Sequence, residues 1–138
     1  MSLIEYKDAY AIETLYTFGV KRIQVYKNNK INKETWYQNN KIHRSNDLPA
    51  RTCYDKNGNK ETEEWWLNDE MHRENKPALL SYKNGKKERE TWFKNGKYHR
   101  KDDDLPAYTL YKNGIKIIEE WWKNGKKYKQ KSYKIIKS

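Results

Sequence analysis

Cysteine, proline and glycine are scarce in this chain: one, three and six of 138 residues. A lone Cys53 excludes an internal disulfide framework. That fits a reducing compartment, so a cytoplasmic location is expected. No run of about 18 apolar residues exists, which excludes a transmembrane helix. The opening residues Met1, Ser2, Leu3, Ile4 and Glu5 lack the basic and apolar stretches of a signal peptide. Aliphatic side chains are too few for a large globular core. Charged residues make up 36% and the mean hydropathy is −1.37. In an irregular sequence that balance would signal disorder. What is present is aromatic: 12 Tyr, 6 Trp and 2 Phe. Large rings can close a thin core, since each buries roughly 150–250 Å².

The aromatics are spaced regularly. Trp36, Trp65, Trp92 and Trp121 stand 29, 27 and 29 residues apart, and Tyr26, Tyr54, Tyr82 and Tyr111 stand 28, 28 and 29 apart. His43-Arg44, His72-Arg73 and His99-Arg100 each follow a Trp by seven, and Pro49, Pro77 and Pro106 each precede a Tyr by five. Self-similarity at such a period marks a repeat architecture. Length varies between His-Arg and Pro, where four, three and five residues intervene in successive units, and before Asn57-Gly58, where Asp55 is one extra residue. Insertions collect in loops, whereas structural elements keep their length. The constant stretch from turn to Trp is therefore an element.

That element is a strand. Asn-Gly between aromatic and β-branched residues is the strongest short-range hairpin signal, because a type I′ turn needs two residues with positive φ. Asn-Gly occurs at 57, 84, 95, 113 and 124, while Asn28-Asn29, Asn39-Asn40 and Asn68-Asp69 occupy the other turn positions. The chain reads as an all-β, elongated antiparallel meander of hairpins, two per unit of about 28 residues. A two-residue turn sets register. It pairs Phe93 with Tyr98, Tyr37 with Ile42 and Trp66 with Met71. It then places Trp36, Trp65 and Trp92 opposite His43, His72 and His99, and Trp121 opposite Tyr128. Glu34, Glu63, Glu90 and Glu119 precede the Trp by two and share its face.

The phrases Trp36-Tyr37-Gln38-Asn39-Asn40-Lys41-Ile42-His43-Arg44 to Pro49-Ala50, and Trp92-Phe93-Lys94-Asn95-Gly96-Lys97-Tyr98-His99-Arg100 to Pro106-Ala107, resemble the MORN-variant repeats of large DNA viruses of amoebae. Related copies occur in bacteria. The resemblance covers roughly residues 20–130. It implies an elongated β array used for protein–protein or membrane-proximal contacts, generally without catalysis. The last unit departs from the pattern: Tyr128-Lys129 replaces His-Arg and no Pro-Ala follows. Terminal repeats are usually atypical. The expected organisation is an N-terminal cap over 1–19, a repeat array over 20–130 and a basic end over 131–138. Residues 1–19 show no repeat. Ser2 with Glu5 fits a capping box and Gly19 a helix end, which favours a short helical cap; alternation at Tyr10, Ile12 and Tyr16 fits a strand as well.

Candidate chemistry is thin. Equivalent His residues lie two strands apart, about 10 Å, too far to share one zinc. The His are read as structural, and no metal or cofactor is expected. Cys53 sits in a slot that holds Val25, Ser81 and Leu110 elsewhere, which is a packing slot. The recurring Glu is read as a structural ion-pair partner of Arg44, Arg73 or Arg100. The aromatics form a binding patch if one sheet face stays open, and a core if the sheet curls. Of the net charge of +11, most lies in the last sixteen residues, with Lys123, Lys126, Lys127, Lys129, Lys131, Lys134 and Lys137 and no acid. Lysines there protect an edge strand or contact a polyanion. The expected function is non-enzymatic: a structural scaffold making protein–protein contacts, a homodimer, and a component of a virion or viral factory by the viral resemblance. The alternative is a basic nucleic-acid-associated or packaging protein.

Overall fold

The computed structural model describes residues 9–137. Strands β1 Ala9–Leu15, β2 Val20–Lys27, β3 Lys30–Gln38, β4 Lys41–Ile42 and β5 Arg51–Tyr54 open the chain. Next come β6 Lys60–Glu64, β7 Trp66–Leu67, β8 Glu70–Met71, β9 Leu79–Lys83 and β10 Lys86–Thr91. The last five are β11 Phe93–Lys94, β12 Lys97–Tyr98, β13 Tyr108–Lys112, β14 Ile115–Lys123 and β15 Lys126–Ser132. No helix occurs among the described residues. The main sheet runs β1-β2-β3-β5-β6-β9-β10-β13-β14-β15, with β4 attached to β3. It is antiparallel and free of crossovers, with β1 and β15 at its two edges. The pairs β7-β8 and β11-β12 form separate short ribbons.

Turn chemistry accounts for this layout. Both central residues have positive φ at Asn28-Asn29, Asn39-Asn40, Asn68-Asp69, Asn84-Gly85, Asn95-Gly96, Asn113-Gly114 and Asn124-Gly125. That is the type I′ signature, whose twist matches the flanking strands. The second unit differs because Asp55 is inserted. Its carboxylate accepts the Asn57 and Asn59 amides at 2.9 and 3.0 Å, and only Gly58 turns left-handed, at φ 82°. Each long hairpin also carries a bulge beside its Tyr: at Val25/Tyr26, Cys53/Tyr54, Lys87/Arg89 opposite Tyr82, and Leu110/Tyr111. One such bulge per long hairpin strengthens the local twist.

Register follows the turns as expected for Phe93 with Tyr98, Tyr37 with Ile42 and Trp66 with Met71. The backbone amides of His43, His72 and His99 bond the carbonyls of Trp36, Trp65 and Trp92 at 3.0–3.1 Å. Two expectations are corrected. Trp121 pairs with Lys129 rather than Tyr128, because a bulge between Trp121 and Trp122 shifts β15 by one residue. The favoured N-terminal helix is replaced, over the described part of that segment, by β1 on β2, and Gly19 serves the turn between them at φ 74°. A Cβ on Gly19 would collide with the Asn39 side chain. The Ser2–Glu5 capping box lies outside the described residues.

The core is made of small side chains. Ala50, Ala78 and Ala107 of the Pro-Ala phrase are completely buried, and Thr35, Thr52, Ser81, Thr91 and Thr109 are nearly so. Each Ala carbonyl accepts a Trp amide, from Trp36, Trp65 and Trp92 at 2.7, 2.8 and 2.6 Å. Each Ala amide donates to Glu64, Thr91 or Glu120. Bonded to a strand on either side, these alanines have no room to grow. Ala78→Val should cost about 1–3 kcal/mol by overpacking. Ala11→Val on exposed β1 should stay within about 0.5 kcal/mol. Urea midpoints check this, and equal costs at the two sites would contradict it.

Candidate functional site

The groups that recur in the sequence converge on the seams between units. At each seam a short hairpin of one unit meets the short hairpin of the next. The His ring is the clasp. His43 Nδ1 accepts the Asn68 amide at 3.2 Å, His72 Nδ1 that of Asn95 at 3.0 Å, and His99 Nδ1 that of Asn124 at 3.1 Å. A backbone amide can only donate, so Nδ1 is unprotonated and the neutral ring carries its proton on Nε2. The next turn amide completes the link: Asp69 to the Ile42 carbonyl, Gly96 to that of Met71 and Gly125 to that of Tyr98, each at 2.9 Å. At the first seam the Asn39 amide bonds the Gly19 carbonyl at 2.9 Å.

The Arg after each His has a different task. Its guanidinium lies over the Trp of its own unit, with Arg44 4.2 Å from the Trp36 ring centre, Arg73 3.7 Å from Trp65 and Arg100 3.9 Å from Trp92. Partly desolvated stacks of this kind are worth about 0.5–2 kcal/mol. The same Arg donates through Nη1 to the Pro carbonyl that ends its loop: Pro49 at 3.2 Å, Pro77 at 3.1 Å and Pro106 at 3.0 Å. Burial lowers the pKa of Arg44 and Arg100 from the usual arginine value. In the last unit Lys129 takes this place, 4.4 Å from the Trp121 ring centre. Tyr128 takes the His place and donates its hydroxyl to the Asp103 carbonyl.

The expected Glu–Arg ion pair is replaced. Glu63, Glu90 and Glu119 pair instead with Lys60, Lys87 and Lys116, three residues earlier on their own strand, at 3.2, 2.9 and 3.6 Å. Glu34 accepts Gln24 Nε2 and the Trp36 indole. Glu63 also accepts the Tyr82 hydroxyl at 2.9 Å, and burial followed by that bond pushes the Tyr82 pKa up to about 12. The Tyr133 hydroxyl bonds Glu119. The Arg is engaged by Trp and Pro, so the Glu answers to lysine and tyrosine.

Several of the Lys suggested for polyanion contact are engaged internally. Lys123 is paired with Asp103 and bonds the Arg100 and Lys101 carbonyls. Lys127 pairs with Glu120 at 3.8 Å, and Lys131 lies 4.9 Å from the Tyr133 ring centre. Lys126 lies on the exposed β15 with its turn, and Lys134 and Lys137 follow that strand, exposed as well. Cys53 is half-buried and pairs across strands with Lys33 and Thr62. Among the described residues no group of three or more His, Cys, Asp or Glu is placed to hold a metal ion, and no helix is long and apolar enough to cross a membrane. No family model, curated protein or solved structure matches the chain.

Sequence reasoning missed the His clasp and the Arg–Trp stack. Hairpin register tells which residues face each other within a unit, and both contacts concern the seam or the loop. The available signal was the pairing of an invariant His-Arg with a Trp seven residues earlier in three units.

The clasp predicts a pH response. Burial, then Lys123 and Lys94, lower the His99 pKa below its ordinary 6.5. A depressed folded-state value means the unfolded chain binds the proton more readily. The contribution is complete above about pH 6.5 and is lost as pH falls from there through the folded value. Unfolding midpoints at pH 7.5 and 5.5 should show a loss on acidification that is smaller in His99→Gln. An equal loss in both proteins, or none in the wild type, would contradict this.

Proposed function

We propose that this chain is a non-catalytic structural repeat protein that works by protein–protein contact, first of all with a second copy of itself. The supporting observation is where its free surface lies. The recurring His, Arg and Glu groups are bonded within and between units, whereas nine of the thirteen exposed large apolar side chains among the described residues lie at the two ends of the array, with Leu48, Leu67, Leu105 and Ile115 between them. Tyr10, Ile12, Leu15, Tyr16 and Phe18 are exposed at one end, and Tyr128, Tyr133, Ile135 and Ile136 at the other. Phe18 is 91% exposed in the turn after β1. An edge strand presents a row of backbone donors and acceptors. β15 guards its edge with Lys126, Lys127, Lys129 and Lys131, while β1 carries no Lys. Symmetric closure is the commonest way for such an edge to be covered, so the proposed dimer pairs β1 with β1 of a second copy.

The likeness of the Trp, His-Arg and Pro-Ala phrases to viral repeats extends this proposal to a cytoplasmic scaffold in a virion or viral factory. A second reading, a basic nucleic-acid-associated protein, is supported by lysines at the long-hairpin tips. Lys83, Lys86 and Lys112 border a groove of about 320 Å³ whose lining includes Leu110, Tyr111 and Ile117.

Light scattering at tens of micromolar tests the first reading. The wild type should have the mass of a dimer and Ile12→Lys that of a monomer. A monomeric wild type would overturn it. Salt-sensitive DNA retention by that monomer would favour the second.

A further inference from the structure

The internal seams share the His clasp but differ in what meets the Trp indole. At the Trp65 seam the preceding loop supplies Asp47, which does two things. Its carbonyl accepts the Trp65 indole N–H at 3.1 Å. Its carboxylate receives Arg73 Nε at 2.8 Å and Nη2 at 3.2 Å, with Lys76 at 3.4 Å behind. Asp47 holds this position in a left-handed conformation, φ 55°, and Trp65 is left only 7% exposed. The bonds from Arg73 and then Lys76 hold the Asp47 carboxyl below its ordinary pKa.

One unit later Trp92 and Arg100 repeat the receiving half. Arg100 lies on the Trp92 ring and bonds Pro106 through Nη1, as Arg73 does with Trp65 and Pro77. The supplying half differs. The preceding loop, Glu74 to Lys76, is one residue shorter than Ser45 to Leu48, and Asn75 stands where Asp47 stood, two residues before Pro. Asn75 is left-handed too, at φ 58°. The Trp92 indole Nε1 is buried without a hydrogen-bond partner, and the ring is only half-buried. Trp36 avoids this by bonding Glu34, and Trp121 is 6% exposed. A cleft of about 470 Å³ opens at Trp92, lined by Asn75, Arg100, Lys101, Asp102 and Leu105. Of these, all but Arg100 are exposed, and the Asp102 carboxylate is engaged within its own loop, accepting the Asp104 amide at 3.0 Å.

We propose that this cleft docks a turn of a partner polypeptide that carries an aspartate in left-handed conformation. The partner's main-chain carbonyl accepts the Trp92 indole N–H, and its carboxylate takes Arg100 Nε and Nη2 as a forked pair. Lys101 supplies the second cation, as Lys76 does for Asp47. The protein's own filled seam is the template for the ligand. A buried donor without an acceptor is costly, and a carboxylate is the natural partner for a guanidinium fork. This inference deepens the protein-contact reading and rests on it for the class of ligand. It uses a surface separate from β1, so the mass of the protein in solution does not bear on it.

The test follows indole N–H signals of the ¹⁵N-labelled protein by NMR, with the Trp92 signal assigned through Trp92→Phe. The probe is a blocked hexapeptide Ser-Asn-Asp-Leu-Pro-Ala, the sequence of residues 45–50, titrated to millimolar concentration. The expected result is a saturable downfield shift of the Trp92 signal alone. Replacing the peptide Asp by Ala should weaken binding at least about tenfold, the usual scale for one charge-assisted pair. Free aspartate and inorganic phosphate should produce no comparable shift, because neither presents a peptide turn. Arg100→Gln should lose the response while keeping its dispersed backbone spectrum. The wild-type comparison of the two peptides stands even if that variant fails to fold. No shift with the Asp peptide, an equal shift with the Ala peptide, or an equal shift with phosphate would each overturn the proposal.

Discussion

Everything in this array depends on a backbone amide at the tip of a two-residue turn finding its acceptor on the neighbouring unit. The ribbons β7-β8 and β11-β12 have two residues per strand. A hairpin that short has no stability of its own in water. The tip amides of Asn68, Asn95 and Asn124 are taken by the preceding His ring, and those of Asp69, Gly96 and Gly125 by a preceding carbonyl. At about 0.5–1.5 kcal/mol per bond these links are individually modest. They matter because they set the spacing between units. Given that spacing, the alanines become fully buried, and the loop that leaves one Trp can reach the Trp of the next unit.

The plan lets a very polar chain fold with almost no aliphatic core. Among the described residues the buried ones are mostly Ala, Thr and Ser, joined by Trp65, Trp121, Pro106 and Glu119, and long charged side chains lie over the rings. Each unit leans on its neighbours alone, which is how repeat arrays are stabilised. The ends must then differ from the middle. At the C-terminal end Tyr128 and Lys129 stand in for His and Arg, so that unit has no His ring to catch a further turn, and lysines line the edge. At the N-terminal end of the described residues β1 carries no Lys, and it carries the exposed apolar side chains on which the dimer proposal rests.

Much of this was legible from residue spacing. Turn positions, strand alternation and most of the register followed from Asn-Gly and Asn-Asn, because a type I′ turn leaves a single pairing. Where legibility ended has a physical cause in each case. The last unit slipped because a bulge at Tyr128 adds a residue without any compositional mark. The segment from Ala9 to Leu15 satisfied both helical and strand patterns, and pairing with β2 decided the matter. The Glu–Arg pair was inferred from charge alone, whereas the guanidinium lies over an aromatic ring and bonds a carbonyl. Contacts across a seam, including the His clasp and the contrast between Trp65 and Trp92, depend on loop length and the spacing of units, which hairpin register does not contain.

Amide hydrogen exchange tests the central claim most directly, since the chain carries its own control. Asn68, Asn95 and Asn124 open short-hairpin turns and donate to His rings, whereas Asn84 and Asn113 open long-hairpin turns of the same type. All five residues are exposed. The clasp predicts slow exchange at the first three amides, fast exchange at Asn84 and Asn113, and loss of protection at Asn95 alone when His72 is replaced by Phe. Equal, rapid exchange at all five would contradict it, because the units would then be held together by something other than the turn amides.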